Sequence, residues 1–299
     1  MEYSINTFEK LLDVCNKQNK KIFEIMQEKE AYDFENTVEY VREKAYKTIE
    51  VMKTAIQNGI KSKEKSYSGL SGDDANRLFQ YYQNNNAIFG KIFEKIVCYS
   101  IATTEENLRM NRIAACPTAG ACGIVPAVLI SLSEEYKLNR EEEINALITA
   151  GTVGYVISSK VPMAGAVAGC QAECGTASAM AASLAVQILG GNNEQSVNAA
   201  VLSLKNILGL TCDPVAGLVE IPCIKRNAFM AVHAITAAEL SLTGVETKIP
   251  PDEIVDAMLQ TGQLIPHILK ETSLGGLATT KKGKEINKRI DEKRKVIVE

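Results

Sequence analysis

The stretch at residues 175–190 reads GTASAMAASLAVQILG and gives the clearest structural signal in the chain. It carries no charge and no proline, and Ala and Ser fill much of it. It shows no strict alternation of apolar and polar residues, so its reading is a helix over 172–190 rather than a strand. Its small side chains predict close packing against neighbouring helices. The wider uncharged run 174–193 is not read as a membrane span, because it holds Ser, Thr, Gln187, Gly190, Gly191 and two Asn. Two other uncharged runs fail as spans as well. Pro117 and Pro126 interrupt 113–133, and 144–159 has only 16 residues.

Around this helix the chain is sparsely charged. Residues 144–242 hold nine charged side chains in 99 positions, which marks a buried core. Residues 1–65 hold 12 acidic and 12 basic residues, and Phe8, Leu11, Leu12 and Cys15 recur there at helical spacing. This region reads as solvated amphipathic helices. The tail 281–299, with eight basic and four acidic residues, reads as a solvated helix end.

Helices are predicted over 5–29, 32–58, 73–105, 123–137, 140–158, 172–190, 194–208, 224–244, 251–269 and 281–295. Asp73, Asp74, Asn139 and Asn193 are the expected start signals, and Pro250-Pro251 precedes Asp252-Glu253. Hairpin signals are missing, so the expected fold is all-α, a compact multi-helix domain with Gly, Pro and Cys in its loops. One domain over 1–299 is expected: a charged N-terminal segment over 1–66, a core over 67–280 and a charged tail over 281–299.

The 299 residues suffice for a core without disulfides or a structural metal. Apolar residues make up 46% and charged residues 23%, as in ordinary globular proteins. A net charge of -3 argues against nucleic-acid binding. The charged N-terminus shows no secretory signal, so a cytoplasmic protein without membrane attachment is expected.

Several chemistries drop out. There is no GxxxxGK[ST] loop and no GxGxxG after a strand. Two histidines, His233 and His267, do not suffice for a His-rich zinc site. Cysteines remain. Cys15 and Cys98 fit buried helix faces. Cys116, Cys122, Cys170, Cys174, Cys212 and Cys223 sit in or beside loops rich in Gly and Pro, where the backbone can approach a cofactor closely. Spacing alone leaves a shared cluster and small core residues both open.

Five ordered motifs add a resemblance. MNRIAACPTAGACGIVPAVL (110–129), AGCQAECGTASAMAA (168–182), LGLTCDPVAGLVEIPCIKRNA (208–228), KETSLGGLATTKKGK (270–284) and YSGLSGDDANRL (67–78) resemble the α subunit of bacterial iron–sulfur L-serine dehydratase. The resemblance implies a [4Fe–4S] cluster held by the Cys of GCQ, TCDP and IPC, here Cys170, Cys212 and Cys223, with Cys174 a core thiol. It implies an iron left open as a Lewis acid, which helps serine lose its hydroxyl. Water leaves, and the aminoacrylate hydrolyses to pyruvate and ammonia.

For substrate, the loop Pro117–Gly120 precedes a helix beginning near Gly123, and helix N-termini suit a carboxylate. Thr118, Gly120 and Gly123 are the expected contacts, with Asn111 and Ser273 in support. Cys116 and Cys122 are expected to be structural. Lys225 and Arg226 are read either as attracting an anionic substrate or as ion-pairing with Asp213 or Glu220.

Single-chain members of the family carry an extra domain with a Ser-His-Thr motif, which is absent here. A β subunit is therefore the implied partner in a hetero-oligomer, and the general base is left unassigned. Val167 stands where the family often carries an acidic residue. Two other readings stay open: an L-cysteine desulfidase of the related family, and a non-enzymatic iron–sulfur protein.

Overall fold

A computed structural model describes residues 5–84, 88 and 90–298, so the first four residues lie outside it. Among the described residues the elements are helices, with a single parallel bridge between Cys212 and Lys270 in place of any strand. Thirteen α-helices run in order: α1 (Phe8–Gln18), α2 (Ile22–Asp33), α3 (Val38–Lys61), α4 (Asp74–Gln83), α5 (Lys91–Leu108), α6 (Ile124–Tyr136), α7 (Arg140–Ser158), the short α8 (Gly165–Ala168), α9 (Thr176–Ile188), α10 (Asn193–Lys205), α11 (Cys223–Leu242), α12 (Pro251–Leu264) and α13 (Lys281–Val298). The all-α expectation holds. No described helix is long and apolar enough to cross a membrane.

The stretch 175–190 supplies the central helix. Every residue of α9 from Thr176 to Val186 is buried, and α6, α7, α10 and α11 pack around it. Ala and Ser make this possible, because small side chains let backbones approach and cost little conformational entropy. Ser hydroxyls in such a core need partners. Ser203 Oγ on α10 donates to Ser178 Oγ on α9 (2.8 Å), which donates to Met230 O on α11 (2.9 Å).

Two expected helices are each split. The helix predicted over 5–29 breaks after α1, where Asn19 takes a left-handed φ of 49° and Lys21 starts α2. Apolar spacing continues through this elbow, so periodicity does not reveal it. Asn193 holds the elbow from outside: its Oδ1 accepts from Ile22 N (3.2 Å) and its Nδ2 donates to Lys20 O (2.9 Å). The cap of α10 is therefore Asn192 rather than Asn193, with Oδ1 accepting from Gln195 N (2.7 Å). The helix predicted over 73–105 is α4 and α5, and residues 85–87 and 89 between them lie outside the described residues.

Capping of α4 is also long-range. Neither Asp73 nor Asp74 caps it; Glu105 on α5 accepts from Asp74 N (2.9 Å) and Ala75 N (3.4 Å). Asn139 does cap α7, with Glu142 reaching back to its N–H (2.8 Å). Helix α12 stops at Leu264 rather than 269, because Pro266 cannot continue it.

These helices aim their connections at one region. The turn Ala119–Ala121 before α6 meets a single π-helical turn, Gln171–Gly175, before α9, and both meet the start of α11. A π-turn inserts one extra residue per turn and is common at functional sites. Gln171 anchors it: Nε2 donates to Met258 O (3.0 Å) and Oε1 accepts from Gly209 N (2.9 Å).

Candidate active site

Four buried cysteines, Cys170, Cys174, Cys212 and Cys223, gather where these connections converge. Cys170 is the centre of the group. Its sulfur lies 3.4 Å from Cys174 Sγ and within hydrogen-bonding reach of the Cys212 thiol and the Arg226 guanidinium. Cys223 opens α11 and lies close enough to feel its charge.

The thiols of Cys174 and Cys212 hold Cys170 well below the ordinary thiol range, against the effect of burial, and Arg226 adds to this. Donating to Cys170, together with burial, pushes Cys174 and Cys212 up. Burial and the Cys170 charge push Cys223 up to about 12. Burial opposes charge on Arg226, but the Cys170 thiolate overcomes it and holds the guanidinium charged.

Arg226 is fixed by its other contacts. It donates to Thr211 O (2.9 Å) and to Asp213 Oδ1 (3.4 Å), while Asp213 Oδ2 accepts from Leu277 N (2.8 Å). The segment 268–279 is tied on from the other side. Cys212 N donates to Leu269 O (2.9 Å) and Glu271 N to Cys212 O (2.7 Å). Lys225 turns away and pairs with Asp74 Oδ2 (2.5 Å).

Across from the sulfurs lies Glu173, on the π-turn. A β-carbon at Gly165 would stand 2.9 Å from Glu173 Oε2 and 3.0 Å from Cys212 Sγ, so only glycine lets α8 pass between them. On the other side, a β-carbon at Gly120 would stand 3.4 Å from the same Oε2. Burial raises the Glu173 carboxyl to about 7, and the charges of Cys170 and Glu271 add to the rise. The Thr118 hydroxyl and the Gly165 N–H favour its charged form. Thr118 Oγ1 is itself buried without a well-formed hydrogen bond.

Of the residues read from sequence, Cys170, Cys212 and Cys223 come together, and Cys174 joins them as a fourth sulfur. Thr118 and Gly120 face the same space through Glu173. Gly123 offers no free donor: its N–H goes to Asn227 Oδ1 (3.0 Å), and a β-carbon there would stand 2.4 Å from Ser100 O. Asn111 is exposed and donates to Glu106 Oε2 (3.1 Å). Ser273 works as a latch, donating to Pro214 O (2.6 Å) and accepting from Gly217 N (2.9 Å). Cys116 and Cys122 are buried apart from the sulfur group, and burial pushes both up to about 12. His233, about two turns beyond Arg226 on α11, bonds to Ser203 O (2.9 Å), and His267 is exposed.

Two residues escape the sequence reading. Glu173 is the only acidic residue between Glu143 and Glu194, and that isolation is its signal. Asn227, fully buried, donates to Gly120 O (2.8 Å) and Cys223 O (2.9 Å), bracing the Thr118 loop against the third cysteine. An apolar groove of about 550 Å³, lined by Met26, Tyr40, Tyr155, Met163 and Met180, opens near Pro117 but holds none of these groups.

Among the described residues no three His, Cys, Asp or Glu side chains surround a point fit for a single metal ion. The four cysteines are soft sulfur donors of the kind that could hold an iron–sulfur group.

Comparison with known proteins places the chain in a family. The family model described as Serine dehydratase alpha chain matches residues 17–278. The chain is 41% identical to the "Probable L-serine dehydratase, alpha chain" of Bacillus subtilis (strain 168), covering 94% of this chain and 93% of that one. It is 41% identical to the "L-serine dehydratase, alpha chain" of Peptoniphilus asaccharolyticus, covering 95% and 97%. It is 35% identical to the "L-serine dehydratase" of Helicobacter pylori (strain ATCC 700392 / 26695), covering 94% of this chain but 62% of that longer protein. This chain belongs to the serine dehydratase alpha chain family.

Proposed function

We propose that the chain is the catalytic alpha subunit of an iron–sulfur L-serine dehydratase, a lyase that releases pyruvate and ammonia from L-serine. The observation that carries this reading is the buried sulfur group around Cys170, flanked by Arg226 and facing Glu173 and the Thr118 loop. Cys170, Cys212 and Cys223 would hold a [4Fe–4S] cluster. When bound, such a cluster supplies a Lewis acid that eases the departure of hydroxide from the substrate.

The chain's own residues do the rest of the work assigned to it. The Cys174 and Cys212 thiols lower the Cys170 thiol, and Arg226 adds to this and offsets negative charge at the sulfur site. Thr118 brings a buried hydroxyl to the substrate space beside Glu173. Asn227 fixes that loop relative to Cys223, so the hydroxyl and the sulfurs keep one separation. Burial keeps water away and strengthens each of these interactions.

A beta chain completes the enzyme. The alpha-chain names of the relatives support this, as does the longer single-chain relative. The test is anaerobic pyruvate release from L-serine and from L-cysteine, with the chain alone and co-expressed with its beta chain. The reading expects release from L-serine that rises with the second chain. Release from L-cysteine alone would contradict it in favour of a desulfidase.

A further inference from the structure

We infer that Glu173 takes the α-ammonium group of the substrate and so selects amino acids over hydroxy acids of the same shape. This rests on the serine dehydratase reading above. The argument is one of charge accounting. Four acidic side chains border the convergent loops: Glu173, Asp213, Glu220 and Glu271. Asp213 is held by Arg226 and Leu277 N. Glu220 accepts from Ser66 Oγ (2.8 Å). Glu271 is exposed and well solvated. Glu173 alone is half-buried inside the site, and no Lys or Arg pairs with it among the described residues.

An unpaired carboxylate out of water costs free energy unless a cation meets it. Here the protein supplies only neutral groups, the Thr118 hydroxyl and the Gly165 N–H. Gly120 and Gly165 pack against Oε2 from either side, and the side chain keeps part of its surface accessible, so a small ligand meets the carboxylate at that accessible edge. An amino acid whose hydroxyl points at the sulfur side would then put its cationic nitrogen against Glu173. A 3-hydroxy acid without the nitrogen would leave Glu173 unpaired. That is the kind of mismatch that gives strong discrimination.

The test uses the full chain with its reconstituted cluster. Calorimetric dissociation constants would be measured for L-serine and for 3-hydroxypropionate, which lacks the ammonium, on the wild type, Glu173→Gln and Glu173→Asp. Iron content would be measured on the same samples. The inference expects normal iron in all three. It expects Glu173→Gln to weaken L-serine by about 10- to 100-fold, the size of a lost charged hydrogen bond, and to leave 3-hydroxypropionate unchanged or tighter. Glu173→Asp should recover some of the L-serine affinity. Wild type binding L-serine while Glu173→Gln binds it equally well overturns this inference alone. So does an equal loss for both ligands, which would mark a structural role. Wild type binding neither ligand overturns this inference, and the serine reading falls with it only where pyruvate release with the beta chain fails as well.

Discussion

The Cys170 and Cys174 sulfurs lie 3.4 Å apart, one π-helical turn from each other at the head of α9. The contact pulls the Cys170 thiol well below its ordinary range and pushes the Cys174 thiol up. Cys174 is buried beside Cys170, and in the function proposed above it supports a ligand without being one.

This gives a first prediction. Cys174→Ser should keep its iron and sulfide after anaerobic reconstitution and lose about 1–3 kcal/mol of stability, the cost of burying a hydroxyl in a sulfur's place. Iron lost in this variant, with Cys170 intact, would make Cys174 a ligand.

Asn227 carries a second. It satisfies Gly123 N, Gly120 O and Cys223 O at once, from a fully buried position. Asn227→Ala would leave a buried N–H and two carbonyls without their partner. The expected loss is about 1–3 kcal/mol in denaturant unfolding, with a larger proportional loss of activity because two loops of the site come apart. Wild-type stability and rate together would show that the brace is dispensable.

A third concerns pH. In the cluster-free chain the Glu173 carboxyl sits at about 7, above its ordinary 4.5. The folded state then binds this proton more tightly than the unfolded state. Its contribution to stability is complete below about 4.5 and is lost as pH rises toward 7. Glu173→Gln, which cannot ionise, should flatten the fall in stability across that window. Parallel curves for the wild type and the variant would contradict the burial of this carboxyl.

Sequence made the middle of the molecule legible and left its seams hidden. Residues 175–190 declare a helix because small uncharged side chains fill a long unbroken run. The three candidate ligand cysteines stood out through the motifs around them. The elbow at Asn19 did not, because apolar spacing runs through it and its hold comes from Asn193, far along the chain. Likewise the cap of α4 comes from Glu105, which no local rule points to. Gly123 looked like an anion donor at a helix start, yet its N–H is spent on Asn227, a tertiary contact invisible to a local reading. Ser273 sits in a motif and proves to be a latch between two loops.

The most direct measurement is iron and acid-labile sulfide per chain after anaerobic reconstitution, for the wild type and for Cys170→Ser, Cys212→Ser and Cys223→Ser. Serine offers a harder oxygen donor that suits iron–sulfide chemistry poorly. The account predicts about four irons and about four sulfides in the wild type, as for a [4Fe–4S] cluster, and loss of most of both in each variant. A full complement of iron in any one of the three variants, or none in the wild type, would contradict it.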